Sequence, residues 1–208
     1  SEEYGYAIPS FNIFWFSRGG FSMQANLLGG PLPYLDRDEI KHFLRAYFNA
    51  FSSAFYPDTR MCNEHSLPEL GYPAGDHFKS SDESQSTYWL RLMFVHEHAG
   101  DLYLGQASPG YWLEAGKGAG IERAPTQYGP VSLQLSSQAD QGKITAVLDR
   151  SKSDVNPKTI YLRVRHPKAT AIKSVELDGK AYERFDPKKE WIELPGDTHG
   201  RIEIVVHY

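Results

Sequence analysis

The chain has 208 residues, 40% of them hydrophobic and 23% charged, with a formal charge of −4 from 22 basic and 26 acidic side chains. That mix describes a globular protein with enough apolar surface for a sizeable core and excludes disordered and fibrous classes. A pI near 6.1 leaves no basic footprint for phosphate, so nucleic acid is not an expected partner.

The first apolar stretch, Ile8 to Phe16, is interrupted by Pro9, Ser10 and Asn12. It falls short of the ~20 residues that span a bilayer, and no membrane partner is expected. The chain opens on SEEYGYAIPSFNIFWF, with no Met, basic region or small-residue cleavage site. It reads as a cut inside a longer protein whose preceding part would be a partner. The single cysteine, Cys62, excludes an internal disulfide and separates compartments poorly.

In chain order, large apolar residues crowd Phe11 to Leu28 and stop at Gly29, Gly30 and Pro31, which predicts a helix weakened by Gly19 and Gly20. A second helix is predicted with Asp36 or Asp38 as its cap and acidic residues in its first turn. Its face is Ile40, Phe43, Leu44, Tyr47, Phe48, Phe51 and Phe55 at spacings of three and four, and it ends before Pro57. A long loop follows, and loops of that length tend to be functional or disordered. Ser81 or Asp82 caps a predicted third helix with apolar residues on more than one side (Tyr88, Leu90, Leu92, Met93, Val95), broken by Gly100. Three aromatic helices cannot cover one another's faces, so further helices and an apolar patch able to drive self-association are expected.

After Gly100 the period changes from 3.6 to 2 in DLYLGQ, VSLQLSSQ, KITAVLD, TIYLRVRH, SVELDG and RIEIVVHY. These predict short antiparallel strands of a β-sandwich, separated by turn signals such as Asp178-Gly179. The predicted class is therefore α+β, with helices over residues 1–99 and a sandwich over 100–208.

The loop before the third helix gathers Glu64, His65, Asp76 and His77 beside Tyr72, Phe78 and Trp89. Carboxylates and imidazoles beside aromatic faces suit a sugar ring that stacks while its hydroxyls are hydrogen-bonded. Glu64, His65, Asp76, His77 and Trp89 are thus the candidate substrate-binding residues. The competing reading is that the carboxylates cap helices or pair with Arg60 and Lys79. His96-Glu97-His98 reads as the polar end of the third helix; on a helix its histidines lack the i, i+4 spacing of a zinc pair, so neither metal nor cofactor is expected. No G-x-S-x-G elbow, Walker loop or dinucleotide fingerprint is present.

Three segments, WLRLMFVHEHAGDLYLG (89–105), ASPGYWLEAG (107–116) and APTQYGPVS (124–132), resemble the C-terminal region of bacterial six-hairpin glycosidase-like proteins. There, a helix leads to a strand, then a WLE turn, then a GPVS strand. The resemblance implies the last hairpins of an (α/α)6 toroid closed by a C-terminal β-sandwich, in a protein exported to the periplasm or beyond and acting on polysaccharide. Carbohydrate is the implied partner, and glycoside hydrolysis by paired carboxylates the implied chemistry. It transfers no catalytic residue, and the chain alone is expected to be inert. A non-catalytic carbohydrate-binding module is the alternative. A lyase using Tyr72 or His77 as base is another. Trp112-Leu113-Glu114 is expected to pack the sandwich against the helices, with Trp112 as an exposed sugar platform the sharper possibility. Tyr128 and Trp191 are expected in the core.

Overall fold

The computed structural model describes residues 31–56, 58–61, 80–153 and 155–208, in a chain that divides into two compact units, residues 1–90 and 91–208. The helix predicted over Phe11 to Leu28 and most of the loop before the third helix lie outside the described residues.

In the first unit, α1 (Leu32–Asp36) is followed by Asp38 in the left-handed conformation at φ 58°. The helix cannot continue through that residue, and the N–H groups of Asp38 and Glu39 turn back to the carbonyls of Leu35 and Tyr34. Glu39 is therefore the residue that precedes α2 (Ile40–Ala54), and it makes no side-chain cap. Its carboxylate is held instead by the Arg37 guanidinium, with Nε and Nη2 each donating at 3.0 Å. This corrects the expectation of an Asp36 or Asp38 cap, and no acidic residue occupies the first turn of α2. Ile40, Phe43, Ala46 and Tyr47 form its buried stripe. Tyr47, Phe51 and Phe55 stack one turn apart, with ring centroids 6.1 and 4.5 Å apart, as i, i+4 geometry requires.

The third helix, α3 (Ser80–Leu92), contains Ser81 and Asp82 in its first turn, so neither caps it. It buries Ser86, Trp89 and Leu92 at a spacing of three and leaves Tyr88 and Leu90 exposed. Apolar residues do lie on more than one side of it, but only one side is buried. It ends sooner than expected: Val95–His98 is a strand, β1. His96-Glu97-His98 is thus not a helix end. Ala99 and Gly100, at φ 53° and 92°, form a two-residue hairpin turn that pairs His98 with Asp101. The glycine that reads as a helix breaker is a primed-turn residue. No helix among the described residues is long and apolar enough to cross a membrane.

The second unit holds two sheets in a sandwich-like α+β arrangement. Its strands after β1 are β2 (Asp101–Leu104), β3 (Gly118–Ala124), β4 (Val131–Gln138), β5 (Lys143–Asp149) and β6 (Thr159–Arg163). Then come β7 (Ser174–Leu177), β8 (Lys180–Tyr182), β9 (Phe185–Asp186), β10 (Trp191–Pro195) and β11 (Arg201–His207). One sheet runs β1-β2-β6-β10-β9, the other β3-β4-β5-β11-β7-β8. All pairings are antiparallel except β2 with β6, which is parallel. The purely antiparallel expectation is corrected there: the chain builds three strands of the second sheet, β3, β4 and β5, between β2 and β6, a crossover long enough for two neighbours to run the same way.

One face of each sheet forms the core. Leu102, Leu104, Ile160, Leu162, Ile192 and Leu194 of the five-stranded sheet are wholly buried, as are Leu133, Leu135, Ile144 and Ile204 of the six-stranded one. Arg150 is also buried, at 1% exposure. Its Nη1 donates to the carbonyls of Gly196 and Thr198 (3.0 and 2.7 Å) and its Nη2 to that of Val155 (3.0 Å), tying three loops at one end of the unit.

Candidate functional site

Four of the five sequence-predicted binding residues, Glu64, His65, Asp76 and His77, lie outside the described residues, as do Tyr72 and Phe78. The fifth, Trp89, sits on the inner face of α3 at 2% exposure, and its indole N–H has no hydrogen-bond partner among the described residues.

The second unit presents two aromatic surfaces. The first is built by the WLE turn. Pro109 in extended conformation leads into a single 3-10 turn, Gly110–Leu113, closed by Trp112 N–H donating to Pro109 O at 3.0 Å. Leu113 is buried and its carbonyl accepts from the Ser137 hydroxyl at 2.6 Å, while Gly116 N–H donates to Ser137 O. The turn is thereby fastened to the end of β4. Trp112, half-buried, stacks on Phe94 (5.7 Å, 21°), and Tyr111 stands edge-on to it (6.1 Å, 80°). Tyr111 is 51% exposed. A few residues further along the chain, Glu114 and Lys117 pair at 2.6 Å, both exposed. A fixed aromatic corner with a carboxylate and an ammonium following it in sequence can stack the C–H face of a sugar and hydrogen-bond its hydroxyls.

The second surface follows from the pleat of the five-stranded sheet. Each of β2 and β6 carries a tyrosine between two buried residues, and register places Tyr103 beside Tyr161. Tyr103 and Tyr161 stack at 5.2 Å, each meets Trp191 edge-on (5.7 and 5.8 Å), and His96 lies 5.8 Å from Tyr103. The Arg163 guanidinium caps this row, 3.9 Å from the Trp191 centroid, which explains why Trp191 is buried although it lies on the outer face. Tyr128 is buried as expected, its phenol accepting from the Gln127 amide.

The carboxyls whose titration is shifted do not resemble a glycosidase general acid, which must be held high. Asp149 is held low by the Ser151 hydroxyl and N–H, and Asp186 by the N–H groups of Lys189 and Lys188. Sequence reading missed Tyr103, Tyr111 and Tyr161. The signal was present for the strand pair, since both tyrosines sit in an apolar-Tyr-Leu context, but only parallel pairing brings them together.

No family model matches the chain, and no curated protein matches it. A solved structure titled glycoside hydrolase aligns with 90% of this chain at 10% identity and a TM-score of 0.44. The alignment spans 33% of that structure, and a likeness so slight assigns neither fold nor activity.

Proposed function

We propose that the chain is part of a carbohydrate-active protein, a glycoside hydrolase in which residues 1–90 contribute the last hairpins of an (α/α)6 toroid and residues 91–208 the supporting sandwich. The observation that carries this reading is the order of elements in the motif-bearing segment. Between Trp89 and Ser132 the chain runs helix, the β1-β2 hairpin, WLE turn, β3 and the start of β4, which keeps the helix, strand, turn and GPVS strand of the resemblance in sequence and adds β1 and β3 to them. In this reading the Glu64 to Phe78 loop forms one wall of the substrate cleft, with Glu64, His65, Asp76 and His77 meeting sugar hydroxyls. A periplasmic or extracellular location goes with it.

A second reading is favoured by a specific observation. The exposed Tyr111 and the half-buried Trp112 sit on the sandwich unit, where a non-catalytic carbohydrate-binding module would carry its platform.

Affinity electrophoresis of the full chain against a panel of plant and microbial polysaccharides separates the two, with Glu64→Ala and Trp112→Ala variants alongside. Retardation lost on Glu64→Ala supports the cleft wall. Loss confined to Trp112→Ala supports the binding module, and failure to bind any polysaccharide sinks both.

A further inference from the structure

Because β1 is a strand, the two histidines of His96-Glu97-His98 project from the same face, two residues apart. Their rings stack with centroids 5.8 Å apart, and a ring nitrogen of each lies within 4.8 Å of one on the other. A tetrahedral ion bound at about 2.0–2.1 Å holds its imidazole nitrogens about 3.3 Å apart. With His96 held by Gln106, a turn of the exposed His98 side chain would bring its nitrogen to that spacing.

His96 is also oriented as a metal-ligating imidazole is. Its Nδ1 lies 2.9 Å from the Gln106 side-chain oxygen, in a buried contact. An amide oxygen only accepts, so Nδ1 carries the proton and the lone pair of the neutral ring is on Nε2. A carbonyl that fixes the tautomer of a ligating histidine is the usual outer partner at such sites. Gln106 is itself 2% exposed and held in place by the strand-to-turn connection, where Gly105 N–H donates to Phe94 O and Ala107 N–H to Met93 O. His98 is exposed, and Asp101, its cross-strand neighbour, puts a carboxylate on the same face.

We propose that His96 and His98 chelate a divalent late first-row transition-metal ion, with water completing its shell. Two imidazoles favour Zn2+, Ni2+ or Cu2+ over Mg2+ or Ca2+, which take oxygen ligands. The site stands apart from the carbohydrate reading and survives its failure.

The test is calorimetric titration of the chelator-treated full chain with ZnCl2 and, separately, MgCl2. A single saturable Zn2+ site is expected, with no Mg2+ binding. His98→Ala is expected to weaken Zn2+ binding at least ~100-fold, beyond the 10–100-fold typical of losing only an outer-shell partner. His199→Ala, an exposed histidine far along the chain, should leave the affinity unchanged. Because His98 is exposed, its loss does not threaten folding, and near-UV circular dichroism of each variant confirms it. Zn2+ affinity unchanged in His98→Ala, or no saturable Zn2+ binding below millimolar concentration, overturns the proposal.

Discussion

At the scale of single residues, the second unit buries a cation against three backbone carbonyls. Arg150 is buried, burial lowers its pKa, and among the described residues its guanidinium donates to the carbonyls of Gly196, Thr198 and Val155. Arg150→Met would leave these acceptors without their donors. The expected loss is about 3–5 kcal/mol, since hydrogen bonds to a charged group are worth about 1.5–3 kcal/mol each and are not additive. Arg150→Lys should recover little, because one ammonium nitrogen cannot reproduce a planar fork that addresses three carbonyls. Urea midpoints for the two variants decide this; a shift of less than ~1 kcal/mol for Arg150→Met would show the carbonyls finding water instead. Nothing in the sequence marks Arg150 out. Its role depends on three loops meeting, a long-range fact, whereas local spacing did announce the Tyr and Leu alternation on either side of the core.

At the scale of elements, hairpin turns were the most legible feature. Asp178-Gly179 reads as a primed turn and is one, with φ of 49° and 74° and Leu177 facing Lys180; the Asp178 carboxylate also accepts from Glu203 N–H at 2.8 Å. Gly179→Ala meets nothing within 4 Å, so its cost is conformational alone, about 1–2 kcal/mol. Gly196 differs: a Cβ there would stand 1.9 Å from Pro157 O. Gly196→Ala must displace backbone that also carries the Arg150 contacts, and should cost more, about 3 kcal/mol. Comparing the two alanine variants by urea denaturation tests whether close approach outweighs turn strain; equal costs would refute it.

The strands that escaped sequence reading did so for stated reasons. β3 has an exposed, glycine-rich pattern with little apolar alternation to detect. β10 buries Trp191 on the face where a polar residue is expected, because Arg163 covers it. β1 is four residues long, too short for a period of 2 to separate from a helical tail, and that ambiguity hid the side-by-side histidines. The candidate loop was legible as a concentration of carboxylates and imidazoles, but spacing along a chain carries no distances between its side chains.

At the scale of the molecule, the second unit should behave as a body that folds by itself. It closes two sheets over one apolar core, and its C-terminal residue is anchored within it: the Tyr208 hydroxyl donates to Val164 O at 2.7 Å and its ring lies 4.9 Å from that of His166. Residues 91–208 expressed alone are expected to unfold cooperatively in urea; a broad transition would show that the sheets need the preceding helices. Burial pushes the phenol of Tyr208 upward, with Glu190 adding to it, and burial also raises Tyr128 and Tyr182. The fold thus favours neutral phenols, while the unfolded chain releases these protons near pH 10. That stabilisation is complete below pH ~10 and declines as pH rises above it, because the native state then binds more protons than the unfolded one. Tyr208→Phe should flatten the decline between pH 9 and 11. At pH 7 the same variant should cost about 1–3 kcal/mol, since the buried Val164 carbonyl loses its donor. A decline as steep as that of the parent chain would assign the alkaline sensitivity to Tyr128 and Tyr182 and leave the C-terminal anchor acting through its hydrogen bond and ring packing alone.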